Sequence, residues 1–333
     1  MRNKLSSAWK NYSFVFIFAA IFLFYVLVST GLTWGGVTNI LRHSAVIGIV
    51  ALGAGLVIIT GEIDLSVGSV VAFVAGFAVC VFNLTGSVVL TLLFCLMCGG
   101  LCGMLNGVLV GAAKMPSFIV TLATMLILRS LSQYFCQQLG AELTGGGNSL
   151  FKMSRDFASY DSLYGFGNGK LLTIPNVGWL LIVFTALCVY LSTSTKFGKK
   201  LYAIGSNEKA ARLAGIHVSM NRTAVFCISG ILAGLGAFLW IAMNGSCDPA
   251  TTGGSFEMYA IAAVVLGGIS MSGGKGRTVG ILFGALSYTI IDKIIVALKM
   301  HSLINDTIKG VILIVAILVQ TAGPQLKKRL SRR

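Results

Sequence analysis

Charge is scarce in this chain: only 11% of its 333 residues are Asp, Glu, Lys or Arg, against 56% hydrophobic. A water-soluble domain of this length carries far more, and with a mean hydropathy of +0.89 the composition excludes one. Histidine is rarer still. His43, His217 and His301 lie far apart, none beside a nucleophile or at metal-ligand spacing. HExxH, GxSxG and a CxxC with a neighbouring His are all missing, so catalysis has no foothold and the chain is not expected to be an enzyme. Acidic residues number 10 against 25 basic ones, for a formal charge of +15. A nucleic-acid partner does not follow. The cations cluster near the N-terminus, over Lys196–Arg222, at Lys275 and Arg277 and in the tail from Lys327, which is the pattern of membrane topology and of attraction to anionic lipid.

What fills the chain is apolar sequence in runs of roughly 17–25 residues, the length a helix needs to cross a bilayer core. About ten spans are expected, near 13–32, 40–60, 67–82, 87–111, 116–138, 177–193, 222–243, 257–271, 278–298 and 304–321. The first replaces a cleavable signal peptide, for which an early small-residue cleavage site is missing. An even count puts both termini on one side, and with cytoplasmic ends the clusters at Lys114, Lys196–Arg222 and Lys275–Arg277 also fall inside. The expected fold is therefore an all-α polytopic transmembrane helical bundle. It forms a single domain over 1–333, with an outer loop at 139–176 and an inner loop at 194–221.

Eight cysteines sit mostly in the apolar runs. Cys95, Cys98 and Cys102 share a helical face and read as small hydrophobes rather than a metal site. Cys136 and Cys247 are expected near the outer surface, and no disulfide framework is implied. Glycine is abundant, 41 residues, and patterned. Gly99, Gly103, Gly107 and Gly111 recur every fourth residue, as do Gly230/Gly234 and Gly280/Gly284. Such rows let helix backbones approach closely, within one chain or across a dimer.

The stretch Gly61-Glu62-Ile63-Asp64-Leu65-Ser66-Val67-Gly68-Ser69 puts two carboxylates between long apolar runs. A charge is costly in hydrocarbon, so Glu62, Asp64, Ser66 and Gly68 are candidates for a translocation path. The structural reading is that Asp64 caps the next helix through the amides of Ser66 or Val67. On that reading Asp64→Ser, which still caps, is milder than Asp64→Asn. Arg129 in the fifth span and Asp292, beside Lys293 in the ninth, are expected to pair, since isolated charges at that depth are expensive. Asn106, Gln133, Gln137 and Gln138 either line a hydrophilic path or bond between helices.

The inner loop carries a short helix over Asn207-Glu208-Lys209-Ala210-Ala211-Arg212-Leu213-Ala214-Gly215. Ser206 or Asn207 can cap it, Glu208 suits its first turn, and Gly215 can supply a left-handed stop. A small face of Ala210, Ala211 and Ala214 with Leu213, flanked by Lys209 and Arg212, suits a groove on another protein better than a membrane surface. The segment Ala260–Arg277 tempts a phosphate-loop reading and fails it. Ile269 stands where a Walker A loop needs Gly, and Gly276 where it needs Ser or Thr. A glycine-rich reversal between spans is expected there.

Three of these blocks, Gly61–Ser69, Phe197–Ile216 and Ala260–Gly276, together with Phe166-Gly167-Asn168-Gly169-Lys170-Leu171-Leu172-Thr173-Ile174-Pro175, resemble the membrane permease subunit of bacterial ABC importers for monosaccharides of the ribose, xylose, arabinose and galactose type. The resemblance runs over nearly the whole chain. It implies a multi-pass subunit of the bacterial inner membrane that works as a pair, most simply a homodimer. It also implies a cytoplasmic two-lobed ATPase, which holds the ATP and magnesium, and an outer solute-binding protein that delivers the sugar. This chain is then expected to bind no cofactor. The resemblance further implies that Asn207, Glu208, Lys209, Ala210, Ala211, Arg212, Leu213 and Gly215 form the segment that seats on the ATPase. Glu62 departs from the pattern, for many relatives have Gly there. Other solutes on the same architecture are a nucleoside, a polyol, a furanose-like signalling molecule or, more distantly, a branched-chain amino acid. A secondary carrier is the alternative of another class, but no internal repeat of the kind such carriers show is evident.

Overall fold

A computed structural model describes residues 2–29, 33–146, 149–300, 304, 307–312, 314–315 and 318, with side chains from Phe14 onward. About three quarters of it is helical. The helices are α1 (Arg2–Val28), α2 (Trp34–Ile59), α3 (Val67–Thr85), α4 (Val88–Gly111), α5 (Ser117–Gln138), α6 (Ala141–Thr144), α7 (Ala158–Asn168), α8 (Asn176–Ser194), α9 (Lys196–Ser206), α10 (Glu208–Leu213), α11 (Val218–Asn244), α12 (Phe256–Leu266) and α13 (Val279–Ala297). Two small antiparallel pairs complete it: β1 (Phe151–Lys152) with β4 (Ser246–Cys247), and β2 (Lys170–Leu171) with β3 (Ile174–Pro175).

Seven of these helices, α2, α3, α4, α5, α8, α11 and α13, are long and apolar enough to cross a membrane. The chain is an all-helical, multi-pass bundle. Burial sorts the helices. The most apolar stretch of α2 is 83% buried against 28% for α4 and α5, so α2 is the axis and the others are walls. Its Ile49, Leu52, Leu56 and Ile59 are fully enclosed where α2 packs against α8, α11, α12 and α13. The apolar side of α4, including Leu93, Met97, Leu101 and Leu105, faces outward, as does that of α5. In hydrocarbon such faces cost nothing, which is why the walls can stay apolar on both sides. α1 packs on α13, with Phe14 and Phe18 against Phe283 at ring separations of 5.5 and 5.4 Å.

The glycine row closes a joint within the chain. α4 and α11 lie backbone to backbone: a Cβ on Gly99 would sit 2.3 Å from the Gly230 carbonyl oxygen, and one on Gly103 2.2 Å from that of Phe226. Gly280 and Gly284 make the same kind of contact with Gly267 and Ala263 of the α12 segment.

The expected span at 257–271 is corrected. α12 has 11 residues and covers about 16 Å, roughly half of an apolar core of about 30 Å. Polar turns shorten it at both ends. Before it, Asp248 accepts from the Ala250 amide (2.9 Å) and the Thr251 hydroxyl (2.6 Å) and winds a turn. After it, Gly268 takes φ +81° and ends the helix. The half-helix runs from Trp240 near the end of α11, 5.8 Å from the Phe256 ring, to Gly267 beside the start of α13. The expected span at 304–321 falls partly outside the described residues, which are helical over 307–312.

The expected loop at 139–176 is a folded cap holding α6, β1, α7, β2 and β3. Asn83 near the end of α3 secures it, donating to the carbonyls of Leu143 (2.8 Å) and Lys152 (2.9 Å) and accepting from the Ser154 amide (2.7 Å). Cys136 and Cys247 are buried beneath it, not at the surface. All eight cysteines are free.

Candidate functional site

Three segments far apart in sequence meet at one end of the bundle: the break between α2 and α3, the α9–α10 hairpin, and the glycine turn after α12. α2 stops where Gly61, at φ +84°, turns the chain. Residues 62–66 have no regular secondary structure, and Asp64 and Ser66 among them are buried. Ile63 donates its amide to Ser117 of α5 (3.2 Å), and its carbonyl accepts from Thr121 (3.4 Å). Asp64 is buried, 3% exposed. One carboxylate oxygen accepts from the amide (3.0 Å) and hydroxyl (2.6 Å) of Ser66; the other accepts from Ser229 (3.1 Å), about three turns into α11.

From Ser66 a chain of hydrogen bonds continues across two more helices. Asn106 of α4 donates to the Ser66 oxygen (2.8 Å), and Thr124 of α5 donates to Asn106 (2.6 Å). Asp64 therefore joins the break to α11, α4 and α5 in one fully enclosed network, where each member satisfies the next. The expected cap is there in part. Asp64 does hold the Ser66 amide, but the helix N-cap position is Ser66, and the carboxylate is tied to α11 as well. Ser66 and Asn106 belong to this network, while Gln133, Gln137 and Gln138 are exposed on α5. Gly68 lies against the turn before α12, where a Cβ would come within 2.5 Å of the Gly253 carbonyl.

The inner-loop helix forms as its residues suggest, and a second helix, α9, precedes it. Thr195 caps α9 by accepting from Gly198 (3.1 Å). Asn207 caps α10 by accepting from Ala210 (3.0 Å), and Gly215 at φ +77° terminates it. Glu208 accepts from Nε (3.0 Å) and Nη2 (2.6 Å) of Arg212 one turn later. That guanidinium, with Arg222 behind it, holds the Glu208 carboxyl below its usual range. The small face needs correction: Ala211 turns inward onto Ile204 and Val218, so Lys209, Ala210, Arg212, Leu213 and Ala214 make the outward surface. Leu213 is 91% exposed.

The glycine turn seats this hairpin on the bundle. The Gly274 amide donates to the Ile59 carbonyl (2.8 Å), Tyr202 donates to that of Gly276 (3.0 Å), and a Cβ on Gly205 would lie 2.0 Å from the Ile59 oxygen. The Ala260–Gly276 block is thus a socket for the end of α2 and for α9. Arg222, in the second turn of α11, ties the hairpin to the break. Its Nη2 lies 2.6 Å from Glu62 and 2.7 Å from Glu208. Sequence reading placed Arg222 only in a basic cluster and missed it as a bridge; no local pattern marks a cation whose partners stand 14 and 160 residues away.

The expected Arg129–Asp292 pair does not form. Arg129 donates through Nη1 to the carbonyls of Ala250 (3.2 Å) and Thr252 (2.7 Å), holding the turn before α12. Asp292 pairs with Lys309 (2.7 Å), whose ammonium also lies over the rings of Tyr259 and Tyr288. Similar depth does not mean similar bearing around the bundle. At the opposite end from α10, a cavity of about 730 Å³ lies under the cap and is lined by Glu142, Lys152, Arg155, Asp156 and Tyr160 among others.

The fold is thus a bundle with seven helices of membrane length and a short capped helix presented at one end. The chain belongs to the family described as branched-chain amino acid transport system / permease component, which matches residues 36–317. It is similar to the ribose import permease protein RbsC of Escherichia coli K12, 33% identical over 321 residues and 96% of each chain. The RbsC protein of Haemophilus influenzae is 36% identical over 283 residues, covering 85% of this chain and 84% of that one. The autoinducer 2 import system permease protein LsrC of Yersinia pseudotuberculosis is 32% identical over 277 residues, 83% of this chain and 74% of that one. No solved structure matches. These relatives are named as transport components, in keeping with the expectation that the chain is not an enzyme.

Proposed function

We propose that this chain is the permease subunit of an ATP-driven, binding-protein-dependent importer of a monosaccharide in the bacterial inner membrane. Two copies form the translocation path, and ATP and magnesium are held by a separate two-lobed ATPase. The observation that carries the reading is α10: a capped helix of six residues whose Leu213 stands free in a ring of Lys209, Ala210, Arg212 and Ala214. A large apolar side chain with a cationic rim suits a groove on another protein.

On this reading the α9–α10 end is cytoplasmic, along with both termini. The chain makes ten passes, one of them through the half-helix α12 with its flanking turns. The capped end faces outward and receives the solute-binding protein at its charged cavity. The sugar reading follows the ribose permeases among the relatives. The autoinducer 2 permease supports a second reading, a furanose-like signalling molecule.

The test is affinity purification of the tagged chain in mild detergent, followed by uptake of labelled ribose by the reconstituted complex. A two-lobed ATPase accompanying the chain and ATP-dependent uptake are expected. A chain that purifies alone and moves solute in liposomes without ATP is a secondary carrier, and the proposal falls.

A further inference from the structure

One guanidinium nitrogen, Arg222 Nη2, serves two carboxylates from different parts of the fold. Glu62 belongs to the break between α2 and α3 and Glu208 to α10. The Glu62 and Arg222 side chains are enclosed, 13% and 15% exposed, so their attraction is only weakly screened. Arg222 Nε is also buried, and among the described residues it has no hydrogen-bond partner. A buried, unused donor on a five-donor fork calls for an explanation. Rotation of the guanidinium would bring Nε and Nη2 onto a single carboxylate as a bidentate pair and release the other. The fork geometry therefore allows a second arrangement beside the bridge seen here, a bidentate pair on one partner.

Either arrangement bears on the interior. Only Ile63 separates Glu62 from Asp64, and both its backbone groups are held by α5. A pull on Glu62 is passed through the anchored Ile63 to the Asp64–Ser66–Asn106–Thr124 network. α10 has little else to restrain it, since its packing against the bundle is the small patch of Ala211 on Ile204 and Val218.

We propose that Arg222 is a positioning residue that clasps α10 to the break through Glu208 and Glu62, so that displacement of α10 by its partner is transmitted to the Asp64 network. The inference rests on the docking of α10 proposed above and adds the route by which docking reaches the interior.

The test is hydrogen exchange followed by mass spectrometry on the full complex with its ATPase in lipid nanodiscs, nucleotide-free and trapped with ATP and vanadate. In the wild type, trapping is expected to change exchange at 207–216 and, by about tenfold, at 62–66, within the usual range of coupling between sites. Glu62→Gln keeps the change at 207–216 and loses it at 62–66. Glu62→Asp, which keeps the charge and withdraws it by one methylene, gives an intermediate loss and serves if the first variant does not fold. An unaltered response at 62–66 in a folded Glu62 variant overturns the clasp and leaves docking standing. No wild-type response at 207–216 overturns docking and the clasp together.

Discussion

Asp64 and Ser229 meet at 3.1 Å in the interior, joining a break between two helices to a third helix 165 residues further on. The carboxylate has three donors, two from Ser66 and one from Ser229. Asp64→Asn swaps one acceptor oxygen for a donor and leaves a buried hydroxyl without its acceptor, a loss of about 1–3 kcal/mol. Asp64→Ser retains the local contact at best and cannot reach Ser229. Thermal unfolding in detergent is therefore expected to rank wild type above Asn above Ser, the reverse of the order that simple capping implies.

Gly103→Ala puts a methyl group 2.2 Å from the Phe226 carbonyl in a joint made of two backbones, where no flexible side chain can yield. Separating α4 from α11 should cost about 1–3 kcal/mol. Gly35→Ala, where nothing lies within 4 Å, should stay within about 0.5 kcal/mol of wild type. Melting curves of the two variants check the contrast.

Leu213 contributes nothing to the fold at 91% exposure, so Leu213→Asp should melt with the wild type. If α10 seats in a groove of the ATPase, the same change should weaken capture of that subunit at least tenfold, about 1.4 kcal/mol. Melting curves check the first, and titrating the ATPase onto immobilised permease checks the second.

Arg212 holds the Glu208 carboxyl below its ordinary value. A depressed carboxyl contributes fully above its unfolded pKa, and its contribution is lost only as pH falls through the lower, folded one. ATPase capture by the wild type relative to Glu208→Gln should be flat from about pH 8 to about pH 6, because Glu208 stays ionised throughout. A ratio that drifts over that range would contradict the assignment.

Arg129 and Asp292 serve different neighbours, and double-mutant cycles should show it. Arg129→Met with Asp292→Asn is expected to be additive within about 0.5 kcal/mol. Asp292→Asn with Lys309→Met should couple by about 0.5 kcal/mol or more. Strong coupling in the first cycle would restore the pair that similar depth suggested.

Properties written over neighbouring residues were legible without coordinates. Apolar runs of membrane length mark α2, α3, α4, α5, α8, α11 and α13, because burying a backbone in hydrocarbon demands that each segment satisfy its own hydrogen bonds. The cap at Asn207 and the stop at Gly215 are equally local, since their bonds close within four residues. Tertiary structure alone decided the rest. It shortened α12, because Arg129 and Asp248 wind the preceding turn. It turned the glycine row of α4 toward α11 and gave Asp292 to Lys309. It also set Arg222 between Glu62 and Glu208. Hydropathy and capping give a helix its length and ends; which face it turns to which neighbour depends on how all the helices pack at once, and that determines which charges can meet.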